Sequence, residues 1–216
     1  MNASRFRKTV GALLGIVSYC SWAEQGTIVD QATGRPLEGV VVVASFYGNA
    51  FNPVQPHTFC YHVDVAVSDE QGRFNIDRWS GDIRPWITNR RRGLSLFKAG
   101  YRTSPAWKLD TFPVLMLRFE GSVEERFRKK LSLPIAGSDC DGAEDKLLPL
   151  ARAMLDEASQ LAATTEQRMV ASTLLFEVES TTLGREAAEK NARARYQELD
   201  KLRKRPASRI TAPQVR

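Results

Sequence analysis

Between residues 26 and 119 the apolar positions come in short runs, separated by glycine, proline, aspartate and serine. Some runs alternate with a period of two and others are continuously apolar. "GTIVD" predicts a first strand, and "ATGRPLEG" a turn in which Gly34 supplies a left-handed residue and Pro36 presets its own φ. "VVVVASFY" (40–47) is apolar on both faces, which predicts a central strand covered on both sides. In "HVDVAVS" the alternation points Val63, Val65 and Val67 inward and Asp64 and Ser68 outward. "DEQG" predicts a hairpin turn closing on Gly72, and "RFNID" returns with Phe74 and Ile76 inward. "LSLFKAGY" and "VLMLRFE" complete the set, with Leu115, Leu117 and Phe119 on one face. About seven short strands of this kind predict an antiparallel β-sandwich.

Beyond Gly121 the period changes to that of helices. Ser122 and Glu125 have the spacing of a capping box, as do Thr164 and Gln167. Leu147, Leu150, Met154, Ala158 and Leu161 recur on one helical stripe, and Pro149 is compatible only with a first turn or a kink. From Arg185 onward Glu186–Lys190, Glu189–Arg193 and Asp200–Lys204 are spaced i,i+4. The apolar line there is thin (Ala192, Tyr196, Leu199, Leu202), which predicts a solvated helix packed along one edge. The chain is thus α+β, with a sandwich over 24–120, a helical region over 121–205 and a disordered tail over 206–216.

Residues 1–23 combine Arg5, Arg7 and Lys8 with an apolar stretch too short for a comfortable membrane span. Ser21 and Ala23 stand at −3 and −1 of a secretory cleavage before Glu24. Retention as an N-terminal anchor and a lipid on Cys20 are the alternatives. Cleavage removes three cations and no acid, so the net charge falls from +6 to +3, and charge then gives no argument for nucleic acid. Of three cysteines, Cys60 and Cys140 remain, and an even pair in an exported protein predicts one disulfide. The expected location is the periplasm, with membrane contact only if residues 1–23 are retained.

The blocks "GTIVDQATGRPLEGVVVVA", "SDEQGRFNI" and "KAGY" together resemble the carboxypeptidase regulatory-like domain, a transthyretin-like (prealbumin-like) sandwich, over residues 25–120. The residues carrying the resemblance are Asp30, Thr33, Gly34, Pro36, Leu37 and Gly39; Asp69, Gly72 and Phe74; and Ala99, Gly100 and Tyr101. The resemblance implies a prealbumin-like fold and assigns no activity. It does not extend to the helical region.

Two places invite chemistry. "HTFCYH" holds both histidines and a cysteine, and His57, Cys60 and His62 are metal-ligand types. Their spacing matches no established site, so no metal or other cofactor is assigned. "RWSGDIRPWITNRRRG" sets Trp79 and Trp86 beside Arg90, Arg91 and Arg92 in a loop between strands, where aromatic planes and guanidinium groups suit a sugar ring, an anionic glycan or a protein. Neither place supplies a nucleophile elbow or a phosphate loop. The expected function is a non-enzymatic binding or structural module of the cell envelope, its partner a protein or cell-wall glycan. The alternatives are a carbohydrate-binding module using Trp79 and Trp86 and a metal-dependent hydrolase around His57 and His62.

Overall fold

The computed structural model describes residues 24–50, 57–76, 87–104, 112–131, 137–140 and 142–204. The expected leader and C-terminal tail lie outside them, as do Trp79 and Trp86. Seven strands run in chain order: β1 (Glu24–Asp30), β2 (Val41–Ala50), β3 (His57–Val67), β4 (Arg73–Ile76), β5 (Ile87–Phe97), β6 (Tyr101–Thr103) and β7 (Val114–Arg118). They form a four-stranded sheet, β4-β1-β7-β6, and a three-stranded sheet, β3-β2-β5. Every pairing is antiparallel except β1 with β7, which run parallel, so the expected all-antiparallel arrangement is corrected at that pair.

The central position of β2 follows from its composition. Val40, Val41, Val42, Val43 and Ala44 are each at most 4% exposed. Val42 and Ala44 face the other sheet, in a core with Ile28, Leu37, Phe74, Ile76, Leu96, Val114 and Met116. Val41 and Val43 face the opposite way, into a core with Cys60, Val63, Phe127, Leu131, Leu147, Leu150 and Met154. Each buried valine contributes on the order of 1.5–3 kcal/mol. β2 therefore belongs to two cores at once.

Three side-chain placements differ from the alternation argument. Ser68 is buried, because the chain leaves β3 there and turns toward the other sheet. Its hydroxyl donates to Leu37 O (2.6 Å) and accepts from Val40 N–H (2.9 Å). Val67 is 52% exposed, since β3 is an edge strand and its last residue has a strand on one side only. In β7 the fully buried side chains are Val114 and Met116, on the face opposite Leu115 and Leu117.

The turn at 69–72 forms as expected: Asp69 Oδ1 accepts from Gln71 N–H (3.0 Å) and Arg73 N–H (2.8 Å). It is not a hairpin, however. β3 pairs with β2 and β4 with β1, so the turn carries the chain from one sheet to the other. Gly72 is required there for two reasons: its φ is +70°, and a Cβ would stand 2.5 Å from Ile28 O.

The helices are α1 (Val123–Arg126), which runs into a π-helical turn over Phe127–Leu131, then α2 (Glu144–Leu161), α3 (Thr165–Leu183) and α4 (Arg185–Lys204). At α1 only half of the capping box forms. Ser122 Oγ accepts from Glu125 N–H (3.1 Å), but the Glu125 carboxylate pairs with Lys129 instead of reaching back. At α3 the box is complete through Gln167 N–H to Thr164 Oγ1 (3.2 Å) and Thr164 N–H to Gln167 Oε1 (3.1 Å). Pro149 falls in the second turn of α2 and not in the first, so the helix continues past it without the hydrogen bond that a residue with an N–H would give to Asp145 O.

The expected stripe is the buried one: Leu147, Leu150, Met154 and Ala158 press onto the outer face of the three-stranded sheet. α3 packs on α2, and α4 along α3, where Ala188 and Ala192 are buried. No helix among the described residues is long and apolar enough to cross a membrane.

Cys60 on β3 and Cys140 before α2 stand at disulfide distance (1.89 Å), buried in the core between sheet and helices. The bond closes a loop with a sequence separation of 80 residues, which corresponds to about 4.5 kcal/mol of stabilisation by the loop-entropy relation. We expect Cys60→Ser/Cys140→Ser to lower the urea-unfolding free energy by about that amount. Ser68→Ala leaves a buried N–H and a buried carbonyl without this partner and is expected to cost about 1–3 kcal/mol in the same assay.

Candidate functional site

The strands of the three-stranded sheet are 10, 11 and 11 residues long, while those of the other sheet are 7, 4, 3 and 5. At ~3.3 Å per residue the longest strands span about 36 Å against about 23 Å. Among the described residues the three-stranded sheet thus has the longer strands.

Both pairings of β2, with β3 and with β5, are irregular at one level. Phe46 pairs with His62 and Tyr47 with Cys60, which leaves Tyr61 as an extra residue on β3. Tyr47 pairs with Arg91 and Asn49 with Thr88, which sets Asn89 and Arg90 opposite Gly48 alone. Asn89 has a φ of +48°, and a Cβ on Gly48 would clash with Ile87. Bulges of this kind re-aim side chains and increase local twist. Here they bracket the arginine run.

Arg90 and Arg91 are exposed and Arg92 half-buried, all on β5 rather than in a loop. The Arg91 guanidinium lies 5.8 Å from the centroid of the Tyr47 ring. On the neighbouring strands Phe59 meets Tyr61 edge-on at 6.2 Å, and Phe46 contacts Tyr61 (6.5 Å) and His62 (5.5 Å). Arg91 and Tyr47 thus meet on one face of the sheet, while Phe46 and His62 meet on the other.

His57, Cys60 and His62 do not converge. Their partners on β2 show why: Cys60 pairs with Tyr47 and His62 with Phe46, adjacent residues on opposite faces. Cys60 points into the helix-side core toward Cys140. His62 lies beside Phe46, with Nε2 3.4 Å from Asp64 Oδ2. Lys146 of α2 donates to Asp64 Oδ1 and to Val63 O, both at 3.0 Å. Burial first, and the Lys146 cation second, push His62 below its ordinary 6.5, outweighing Asp64. Three ligand-type groups do lie within 4.8 Å of one another, Cys60, Asp139 and Cys140, but both sulfurs are at disulfide distance from each other. Asp139 and Lys146 escaped the sequence reading because they reach the strand from another element.

The residues that carry the family resemblance also meet. Asp30, only 3% exposed, accepts from Ala32 N–H (2.8 Å) and Thr33 N–H (3.0 Å) through Oδ1, and from the Tyr101 hydroxyl (3.1 Å) through Oδ2. One carboxylate closes the first turn and holds the "AGY" segment to it. No family model, curated protein or solved structure matches the chain.

Burial pushes the Asp30 carboxyl up, but the Thr33 and Ala32 amides and the Tyr101 hydroxyl together hold it below its ordinary 3.8. A carboxyl depressed in the folded state contributes fully above its unfolded value and loses that contribution as pH falls through the lower folded value. We expect acid unfolding of the wild type to carry this component below pH 3.8 and Asp30→Asn to lack it, as read from urea midpoints against pH.

Proposed function

We propose that this chain is an exported, non-enzymatic binding or structural module of the cell envelope, working in the periplasm and built on a prealbumin-like sandwich of the carboxypeptidase regulatory-like kind. Its working face is the bulged half of the three-stranded sheet. The observation that carries this reading is the exposed Arg91 guanidinium over the Tyr47 ring, with exposed Arg90 next to it on β5, on a sheet bulged on both sides of β2. Guanidinium groups beside aromatic rings suit an anionic glycan or an acidic protein segment. Support for the family reading comes from Asp30, which ties two of the three motif blocks together. A cysteine pair at disulfide distance is compatible with an oxidising compartment.

A second reading has its own observation. β5 is an edge strand, and charged side chains together with a bulge are the usual devices that keep an edge from pairing with other chains. In that reading the arginines act against aggregation.

One experiment separates the two. The intact oxidised protein is titrated with soluble cell-wall glycan fragments and with an acidic polysaccharide, at low and physiological salt. Arg90→Glu/Arg91→Glu is expected to weaken binding at least about tenfold and to flatten its salt dependence. Binding unchanged in this variant, together with faster aggregation of Arg90→Thr/Arg91→Thr, would overturn the binding face in favour of edge protection.

A further inference from the structure

Cys60 and Cys140 come from different elements, β3 and the turn before α2, and both are buried. The covalent bond is not the only contact that brings them together. Their backbones form an isolated parallel bridge. Cys140 N–H donates to Gly137 O at 3.0 Å, and Cys140 O accepts from Ala143 N–H at 3.2 Å. Gly137 lies against the sheet, so closely that a Cβ there would stand 3.0 Å from Ser45 Oγ and from Val63 Cγ2. Lys146 Nζ ties the first turn of α2 to Val63 O and Asp64 Oδ1. None of these contacts depends on the disulfide, so they keep the two cysteines neighbours when it is opened.

A third ligand type stands beside them. A carboxylate oxygen of Asp139 and both sulfurs lie within 4.8 Å of one another, and Asp139, unlike the cysteines, is exposed. Zinc takes thiolate sulfur at ~2.3 Å and carboxylate oxygen at ~2.0–2.2 Å in a tetrahedral arrangement, which sets two sulfurs about 3.8 Å apart. Two thiols that are no longer bonded separate to ordinary van der Waals contact, close to that spacing. His62 takes no part, since it lies on the face of β3 opposite Cys60. None of these residues belongs to the arginine face.

We propose that the reduced protein holds one zinc ion on Cys60 Sγ, Cys140 Sγ and the Asp139 carboxylate, with the fourth position open to water on the exposed side. The site is completed only when the disulfide is opened. A dithiol reductant supplies two electrons to the sulfur–sulfur bond. That bond breaks, the dithiol becomes a disulfide, and its two protons pass to the Cys60 and Cys140 thiols. The cation then displaces those two protons, which leaves two metal–thiolate bonds and one metal–carboxylate bond. A pair of thiolates favours zinc or cadmium over magnesium and calcium, which take all-oxygen ligand sets. Three protein ligands and one open position make an exchangeable site rather than a closed structural one. The oxidised form carries a cross-link here, and the reduced form carries a cation in its place.

The test uses the intact chain, opened with a phosphine reductant, freed of it and kept anaerobic. Cadmium is titrated first, because cadmium–thiolate bonds absorb in the ultraviolet, and zinc is then added in competition. One equivalent of cadmium is expected to saturate the band, with two protons released per ion at a pH where both thiols are protonated. Zinc is expected to abolish the band and to protect both thiols from alkylation, while the oxidised protein gives no band. Asp139→Asn keeps both thiolates, and so the band, but is expected to weaken zinc binding at least about tenfold. Cys60→Ser/Cys140→Ser is expected to give no band. Amide NMR of the reduced protein follows the fold throughout. No band at one equivalent, or a reduced chain that loses its dispersed spectrum with zinc as well as without it, would overturn the proposal. Equal zinc binding by the oxidised protein, or undiminished binding by Asp139→Asn, would overturn it as well.

Discussion

The burial of β2 on both faces is the constraint around which the rest of the chain is arranged. Val42 and Ala44 need a second sheet, and Val41 and Val43 need something on the opposite side. A sandwich alone covers one face. The second cover is α2, whose Leu147, Leu150 and Met154 stripe meets that requirement. The helical region is therefore part of the same hydrophobic core as the sheet, not an appendage joined by a linker. α3 and α4 then add outward, each covering the one before it.

Several polar contacts hold the layers together at their borders. The Cys60–Cys140 pair lies between sheet and helices, and Lys146 reaches from α2 to Val63 and Asp64 at the edge of β3. Glu157 receives the Gly100 amide and the Arg126 guanidinium at the opposite end of α2. α2 is thus tied to the sheet near both of its ends, while its stripe supplies the apolar contact between them. Arg195 of α4 plays a smaller part of this kind, donating to Glu179 of α3 at 2.8 and 2.9 Å. This pairing is bidentate, which adds geometric definition to a helix with few buried side chains.

The change of character along the three-stranded sheet has a simple origin. The residues of β2 that serve both cores lie in its first half, from Val41 to Ala44. Farther along, Tyr47, Cys60 and Ile87 still pack inward, but the exposed positions carry Thr88, Asn89, Arg90 and Arg91 instead of valine. The bulges occur where the composition changes, at Phe46 to Asn49. A scaffold that is rigid at one end and chemically varied at the other is the usual way a sandwich presents a binding surface.

Local pattern was sufficient for most of the elements, though not for the first half of β5, where the arginine run reads as a loop: the period of two, the period of 3.6, the caps at Ser122 and Thr164, and the glycines at Gly34 and Gly72 each act over a few residues. It also determined that β2 is central, because a strand apolar on both faces can sit nowhere else. Which elements meet was decided only by the tertiary structure. Ser68 turned inward because the chain changes sheets there. The 69–72 turn became a crossing between sheets rather than a hairpin, and β1 paired parallel to β7. Cys60 and His62 parted because Tyr61 bulges out of β3 between them, so that they pair with adjacent residues of β2 on opposite faces. Arg126 and Glu157, 31 positions apart and unremarked in any local pattern, met in a buried pair. The physical reason is one of range: propensity, capping and alternation depend on neighbours along the chain. Sheet pairing, bulge position and the partners of a buried charge depend on groups that only packing brings near.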